Sequence, residues 1–396
     1  MNMKIDEWKE IINILFLKKI PKQLIIQMTD ICNAKCPQCG MNVSNEYERR
    51  KLGIDSLKLI IDKATEIGVK ALSITGGEPL LMKDELFEAL DYASKNGIKY
   101  TRTGTNGFIF MSHKNPHFKK SISNLAESII ESKLYTFWIS IDSWDSQKHE
   151  KNRGLNGVIE GIEKGLKIFE NYGLSPSVNL GINRLIEYTE PYYLSDGYFI
   201  PEAFYENYYK GLSKFFDFVI SLGFKIANLC YPMSFDGAVY KAESSEYIVN
   251  YSDQEKKILY KVIFDVVRKY RNKIKIFTPL VSIKNLIKEY ENKKSMGCFG
   301  GDCFFFVDTT GKVYPCGFKE EKSFGDFLYF EDNIASKNDC KDCDWECFRD
   351  PSALFNPLVK LTNPLYLFNN INTYYYLLKD ITYYAKSRFF SMQTIN

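Results

Sequence analysis

The chain has 396 residues, 45% hydrophobic and 26% charged, the composition of a folded protein rather than a disordered one. Its 52 basic and 49 acidic residues nearly cancel to a net charge of +3, which excludes a general electrostatic attraction to nucleic acid. No run of about 18 purely apolar residues occurs, so no transmembrane segment is expected.

Residues 1–20 mix Lys4, Asp6, Glu7, Lys9 and Glu10 among apolar residues. They read as a helical extension, not a secretory signal, and the expected location is cytoplasmic. From residue 21 to 235 short apolar runs alternate with longer stretches of helical period. Residues 24–28 form the first expected strand. Leu57, Ile60, Ile61, Ala64 and Ile67 follow at helical spacing, with Asp55 as the expected N-cap. Residues 71–75 give a second strand, and the next helix carries Leu86, Phe87, Leu90 and Ala93. Residues 98–103, 137–141, 177–182 and 225–229 give strands three to six. Repeated β–α units predict an α/β fold with a parallel sheet, six right-handed units curling into a partial (β/α)6 TIM-like barrel. Chemistry in such folds sits at the C-terminal strand ends, where three long segments lie: 104–120, 183–200 and 231–252. Residues 236–297 read as a helical linker completing the barrel, 298–350 as a small Cys-rich domain with few apolar runs, and 351–396 as an aromatic helical tail.

Ten cysteines in a cytoplasmic chain are better explained by metal than by disulfides. Nine fall into two groups, and the only histidines are His113, His117 and His149, so all-thiolate iron–sulfur ligation is easier than mixed Cys/His zinc. The first group, Cys32-x3-Cys36-x2-Cys39, directly follows strand one. Three thiolates on one tight loop can hold three irons of a [4Fe–4S] cluster and leave the fourth open, as catalysis requires. Zinc binding or core packing are the competing readings of three thiols alone.

Further motifs follow successive strands: Gly76-Gly77-Glu78-Pro79, Thr105-Asn106-Gly107, Ser140-Ile141-Asp142-Ser143, and His149 with Arg153-Gly154. Together with the cysteine triad they resemble the radical S-adenosylmethionine (SAM) superfamily over roughly residues 20–235. The resemblance implies an oxidoreductase- or isomerase-type enzyme in which an open-iron [4Fe–4S] cluster on Cys32, Cys36 and Cys39 reductively cleaves SAM. The 5′-deoxyadenosyl radical so formed abstracts hydrogen from an unactivated carbon. It further implies that Gly76, Gly77, Glu78 and Pro79 hold the SAM amino group, Glu78 by charge pairing. Thr105 and Asn106 sit at a common turn, Ser140 and Asp142 at the ribose and carboxylate contacts, and Arg153 at a bidentate contact with the SAM carboxylate. Asn179 and Asn183 are weaker candidates. The chain departs from the pattern at Gln38, where the family usually carries an aromatic near the adenine.

The second group opens as Cys298-x12-Gly311-x4-Cys316, with Cys303 between, and closes as Cys340-x2-Cys343-x3-Cys347. It is similar to the auxiliary-cluster domains called SPASM and twitch. One auxiliary [4Fe–4S] cluster is the expectation, with a four-Cys zinc knuckle as the alternative; which four thiols ligate stays open. Asp308 to Lys312 reads as a hairpin turn.

Cys230 stands apart at the end of strand six, either a hydrogen donor to a substrate radical or a small buried hydrophobe. The segment Glu187-Tyr188-Thr189-Glu190-Pro191-Tyr192-Tyr193 is either substrate lining or an ordinary loop. Tyr374, Leu377, Leu378, Ile381 and Tyr384 recur at helical spacing near Lys379, Lys386 and Arg388, which predicts a helix packed on the barrel or a second subunit rather than on a membrane. The functional expectation is peptide maturation. Chemistry on a small molecule (a sugar, aminoglycoside or lipid) and a non-catalytic electron carrier or scaffold are the alternatives. An external flavodoxin- or ferredoxin-type donor is the implied partner.

Overall fold

A computed structural model describes residues 17–43, 48–188, 191–232, 246–291, 296–331 and 342–387, with single positions 14, 240, 340 and 392. Most of the expected helical extension, together with Thr189, Glu190 and Arg388, lies outside the described residues.

Among the described residues, six parallel strands alternate with helices. They comprise β1 (Lys22–Thr29), α1 (Ile54–Glu66), β2 (Val69–Gly76), α2 (Lys83–Lys95), β3 (Tyr100–Thr105), α3 (Phe118–Glu131), β4 (Thr136–Ser140), α4 (Ser146–Arg153), α5 (Val158–Asn171), β5 (Ser177–Gly181), α6 (Pro201–Leu222) and β6 (Ile226–Cys230). Two further elements, α7 (Asp253–Tyr270) and β7 (Lys275–Ile276), precede α8 (Leu280–Tyr290). A hairpin of β8 (Phe304–Val307) and β9 (Val313–Tyr314) leads to α9 (Glu346–Val359), α10 (Pro364–Asn369) and α11 (Ile371–Lys386).

One nine-stranded sheet runs β7-β6-β5-β4-β3-β2-β1-β8-β9, parallel except for the last pair. All but the first residue of β1 are buried, as expected for a parallel strand covered on both faces. Two local expectations shift. The third strand begins two residues later, at Tyr100, and α1 is capped by Gly53, leaving Asp55 inside the first turn, where its charge still meets the helix dipole.

The Cys-rich region carries more core than its composition suggests. Phe304, Phe305, Phe306 and Val307 are fully buried, and β8 pairs with β1 from Gln23↔Phe304 to Ile26↔Val307, so the barrel sheet continues into this region. Ile25, Tyr314, Phe318, Trp345 and Phe348 pack around it. The hairpin turn forms as expected: Asp308 Oδ1 accepts from the amides of Thr310 (2.8 Å) and Lys312 (3.0 Å), and Gly311 takes φ +84°.

The tail helix α11 docks on α8 and α9. Leu377 is buried, while Leu378 and Ile381, expected on the same face, are 63% and 40% exposed. Asp380 is the anchor. It accepts from the amides of Leu280 (3.1 Å) and Val281 (2.9 Å) and from Arg271 (2.6 Å), capping α8, whose own N-cap Pro279 offers no side-chain acceptor.

Candidate active site

The loop from Asp30 to Cys39 leaves β1 and is braced from three sides. The Thr29 carbonyl accepts the Gly77 amide (2.8 Å), the Ile31 carbonyl accepts the Glu78 amide (2.9 Å), and Lys35 donates to the Arg153 carbonyl (2.8 Å). The two glycines permit this. A Cβ on Gly76 would sit 2.3 Å from the Thr29 carbonyl oxygen, and one on Gly77 would sit 2.2 Å from that of Ile31. The glycine pair therefore seats the cysteine loop against the end of β2.

Glu78 is fully buried and both its oxygens are used: Oε1 accepts the Leu80 amide (3.0 Å) and Oε2 the Asn106 amide (2.6 Å). Burial pushes its carboxyl up to about 7. These bonds make it a brace between the turns after β2 and β3, and its expected charge pairing with a ligand ammonium competes with them. Asn106 in turn reaches Asn33 Oδ1 (2.8 Å) and the Cys32 sulfur (3.7 Å).

Asp142, buried at the end of β4, accepts from Arg153 through Nε (2.8 Å) and Nη2 (2.6 Å), and from Asn152 (3.0 Å). The Arg153 guanidinium holds the Asp142 carboxyl below its ordinary range despite burial. That edge of Arg153 is thus taken, so the expected bidentate grip on a second carboxylate is left only its Nη1 side. Asn152 also donates to Gln38 (3.0 Å), which is what stands in place of the family's aromatic. His149 Nδ1 accepts the Asp142 amide (3.1 Å), and burial pulls its imidazole down to about 4. Asn183 spends its side chain on the Asp142 and Gly181 carbonyls and on capping the turn at Leu185. Asn179 accepts from Asn228 (2.9 Å) and the Cys230 thiol (3.2 Å).

The structure nevertheless brings every one of these candidates to one cavity of about 320 Å3. Cys32, Cys36, Cys39, Gly76 to Pro79, Thr105, Asn106, Ser140, Asp142, Arg153, Asn179, Asn183 and Cys230 all line it. Trp345, Glu346 and Cys347 from the Cys-rich region, and Tyr240 from the segment after β6, also line it. Sequence reasoning singled out Cys347 only as an auxiliary-cluster candidate and missed Trp345 and Glu346, because it did not foresee the β1–β8 pairing that joins that region to the barrel sheet.

The described residues of the segment 187–193 do not line the cavity. Glu187 accepts from Tyr192 (2.7 Å) and Tyr208 (2.5 Å), and Tyr192 packs on Phe204, so the segment is tied down onto α6.

The second group of thiols sorts itself. Cys298, Cys316, Cys340 and Cys343 surround one small cavity walled by Phe318, Trp345 and Phe348. The amides of Gly300 and Phe318 point at the sulfurs of Cys298 (3.2 Å) and Cys316 (3.4 Å). Cys303 borders neither cavity, and Cys347 faces the barrel. Burial pushes Cys36 up to about 11 and Cys316 up to about 12, so these thiols need a metal's charge to ionise. Among the described residues no three Cys, His, Asp or Glu side chains converge closely enough to hold a single metal ion. A cluster, whose irons are spread apart, suits thiols ranged around a cavity. No helix among the described residues is long and apolar enough to cross a membrane.

Comparison with known proteins agrees. Residues 26–190 match the pattern of the Radical SAM superfamily. A probable GTP 3′,8-cyclase from Methanococcus maripaludis is 28% identical over 151 residues, covering 38% of this chain and only 46% of the relative. An AdoMet-dependent heme synthase from Methanosarcina barkeri is 24% identical over 305 residues, covering 75% of this chain and 77% of the relative. In fold, the chain is similar to Streptococcus suis SuiB bound to S-adenosylmethionine (TM-score 0.53, 17% identity, 83% of this chain and 69% of that one). It is also similar to native anSMEcpe with bound AdoMet and Kp18Cys peptide (TM-score 0.51, 16% identity, 89% and 99%). The sequence pattern and the order of motifs along the strands agree over residues 26–190, and that segment is similar to the Radical SAM superfamily.

Proposed function

We propose that the protein is an enzyme that activates an unreactive C–H bond, with SAM and a [4Fe–4S] cluster at Cys32, Cys36 and Cys39. The observation that carries this is the single cavity shared by the three thiols and the residues after β2, β3 and β4. Held by Cys32, Cys36 and Cys39 and the residues around them, the cluster and SAM would supply hydrogen abstraction from an unactivated carbon. The chain's own part is positional. Glu78 ties the turns after β2 and β3 together beside the cysteine loop. Asp142 fixes Arg153 so that its remaining edge meets an anionic ligand beside the Cys32 and Cys36 thiols. The barrel wall excludes water from the reacting carbon.

Cys298, Cys316, Cys340 and Cys343 hold one auxiliary cluster in this reading, supported by their common cavity and by the amides aimed at two of the sulfurs. An external one-electron donor of flavodoxin or ferredoxin type supplies the reducing equivalent. A peptide is the substrate class suggested by anSMEcpe, whose structure holds one. A small molecule is the second reading, favoured by the volume of the cavity and by relatives named as a heme synthase and a cyclase.

The test is anaerobic reconstitution followed by reduction. Release of 5′-deoxyadenosine from SAM is expected, with about eight irons per chain falling to about four when all three triad cysteines become Ala. An iron count unmoved by that change, with no SAM cleavage, would overturn the reading.

A further inference from the structure

Next to the first cavity, nearer the N-terminal ends of the strands, barrel strands together with α9 line a second cavity of about 310 Å3. Ser73, Trp138, Asn179, Cys230, Glu346 and Cys347 border both spaces, so the chamber adjoins the site of chemistry. Its one guanidinium is Arg102, in the middle of β3, in register between Ser73 of β2 and Thr136 of β4.

Arg102 is poorly compensated. Its Nε and Nη2 are sealed from solvent with no hydrogen-bond partner among the described residues. The acids around it are engaged elsewhere. Glu346 accepts the Cys347 thiol proton (3.2 Å), and Asp350 accepts the Tyr231 hydroxyl (2.9 Å). A guanidinium keeps its proton even when buried; Glu346 and Cys347 lie near enough to act on its charge, yet neither accepts from Nε or Nη2, which are left for a further acceptor. Its planar fork matches a carboxylate or a phosphate.

We infer that Arg102 binds an anionic group of the substrate, a carboxylate or a phosphate, and so holds the reacting carbon under SAM. This deepens the function proposed above and rests on it for the identity of the chemistry, though not for the anion site. An acidic group on the substrate would satisfy the two N–H groups that the protein leaves without an acceptor.

Titration calorimetry on the anaerobically reconstituted enzyme tests this, with inorganic phosphate and acetate as separate probes in a low-chloride buffer. At least one ion is expected to bind, with affinity falling roughly tenfold or more in Arg102→Gln and partly restored in Arg102→Lys. Which ion binds tells a phosphate-bearing substrate from a carboxylate-bearing one. Bromide soaked into wild-type crystals, read by anomalous scattering, should lie beside Arg102 and needs no variant to fold. Absence of binding by either ion, binding unchanged in Arg102→Gln, or a chamber empty of bromide overturns the inference. Anion binding that persists in a protein unable to bind iron or SAM would sink the proposed function while supporting the anion site.

Discussion

The two cysteine sites are built on opposite plans. The triad hangs on one loop at the end of β1, braced by backbone bonds to β2 and α4, and it faces a cavity large enough for ligands. The other four thiols come from separate segments around β8, β9 and the approach to α9, and they close on a small space walled by aromatic rings. Thiols gathered from one loop leave one side open, as bond-breaking chemistry needs. Thiols gathered from several segments surround their contents, as storage or relay of electrons needs. The difference lies in the chain's path, because the residue types are the same.

The largest expected effect separates the sites outright. Cys36→Ala should abolish SAM cleavage, read as 5′-deoxyadenosine by chromatography, while auxiliary iron is retained. Cys343→Ala should do the reverse to the metal, removing about four irons per chain and leaving reductive SAM cleavage measurable. If instead Cys343→Ala empties both sites, they assemble as one unit and the contrast fails.

Next come the buried charges around the triad. Asp142→Asn leaves Arg153 buried beside the thiols without its carboxylate, and chemical denaturation should show a loss of roughly 3–5 kcal/mol. His149 sharpens this with pH. Its folded value lies near 4, below the ordinary 6.5, because burial disfavours the charged ring. The folded state therefore binds fewer protons than the unfolded one between those values. The His149 contribution is complete above about pH 6.5 and is lost as pH falls toward 4, by about 3 kcal/mol. Denaturation midpoints of wild type and His149→Gln, followed over that window, should converge in acid. The smallest effect belongs to Cys303, which borders neither cavity: Cys303→Ser should leave both iron counts unchanged.

Much of this was legible in the sequence. The first six strands, the triad and the order of motifs follow from local runs and spacings, which the parallel β–α repeat preserves. What stayed hidden depends on distance or on backbone bonding. Nothing near Phe304 reveals that it pairs with Gln23, and nothing near Asp380 reveals that it caps a helix beginning at Leu280. The motif residues Glu78 and Asn183 carry side chains suited to a ligand, yet they spend them on neighbouring backbone. One signal went unread. Arg102 is a charged residue inside a strand of a parallel sheet, where an apolar run is the norm, and that departure alone marks the position.

The pairing of β8 with β1 also governs how the protein is made. About 280 residues separate the partners, so β1, among the first segments synthesised, exposes an unsatisfied apolar edge until more than three-quarters of the chain has emerged. A nascent barrel in that interval is a template for pairing with its neighbours. Truncation before Phe304 should therefore yield aggregated protein rather than a soluble barrel, and the auxiliary region serves as the sheet's guard as well as its second thiol site.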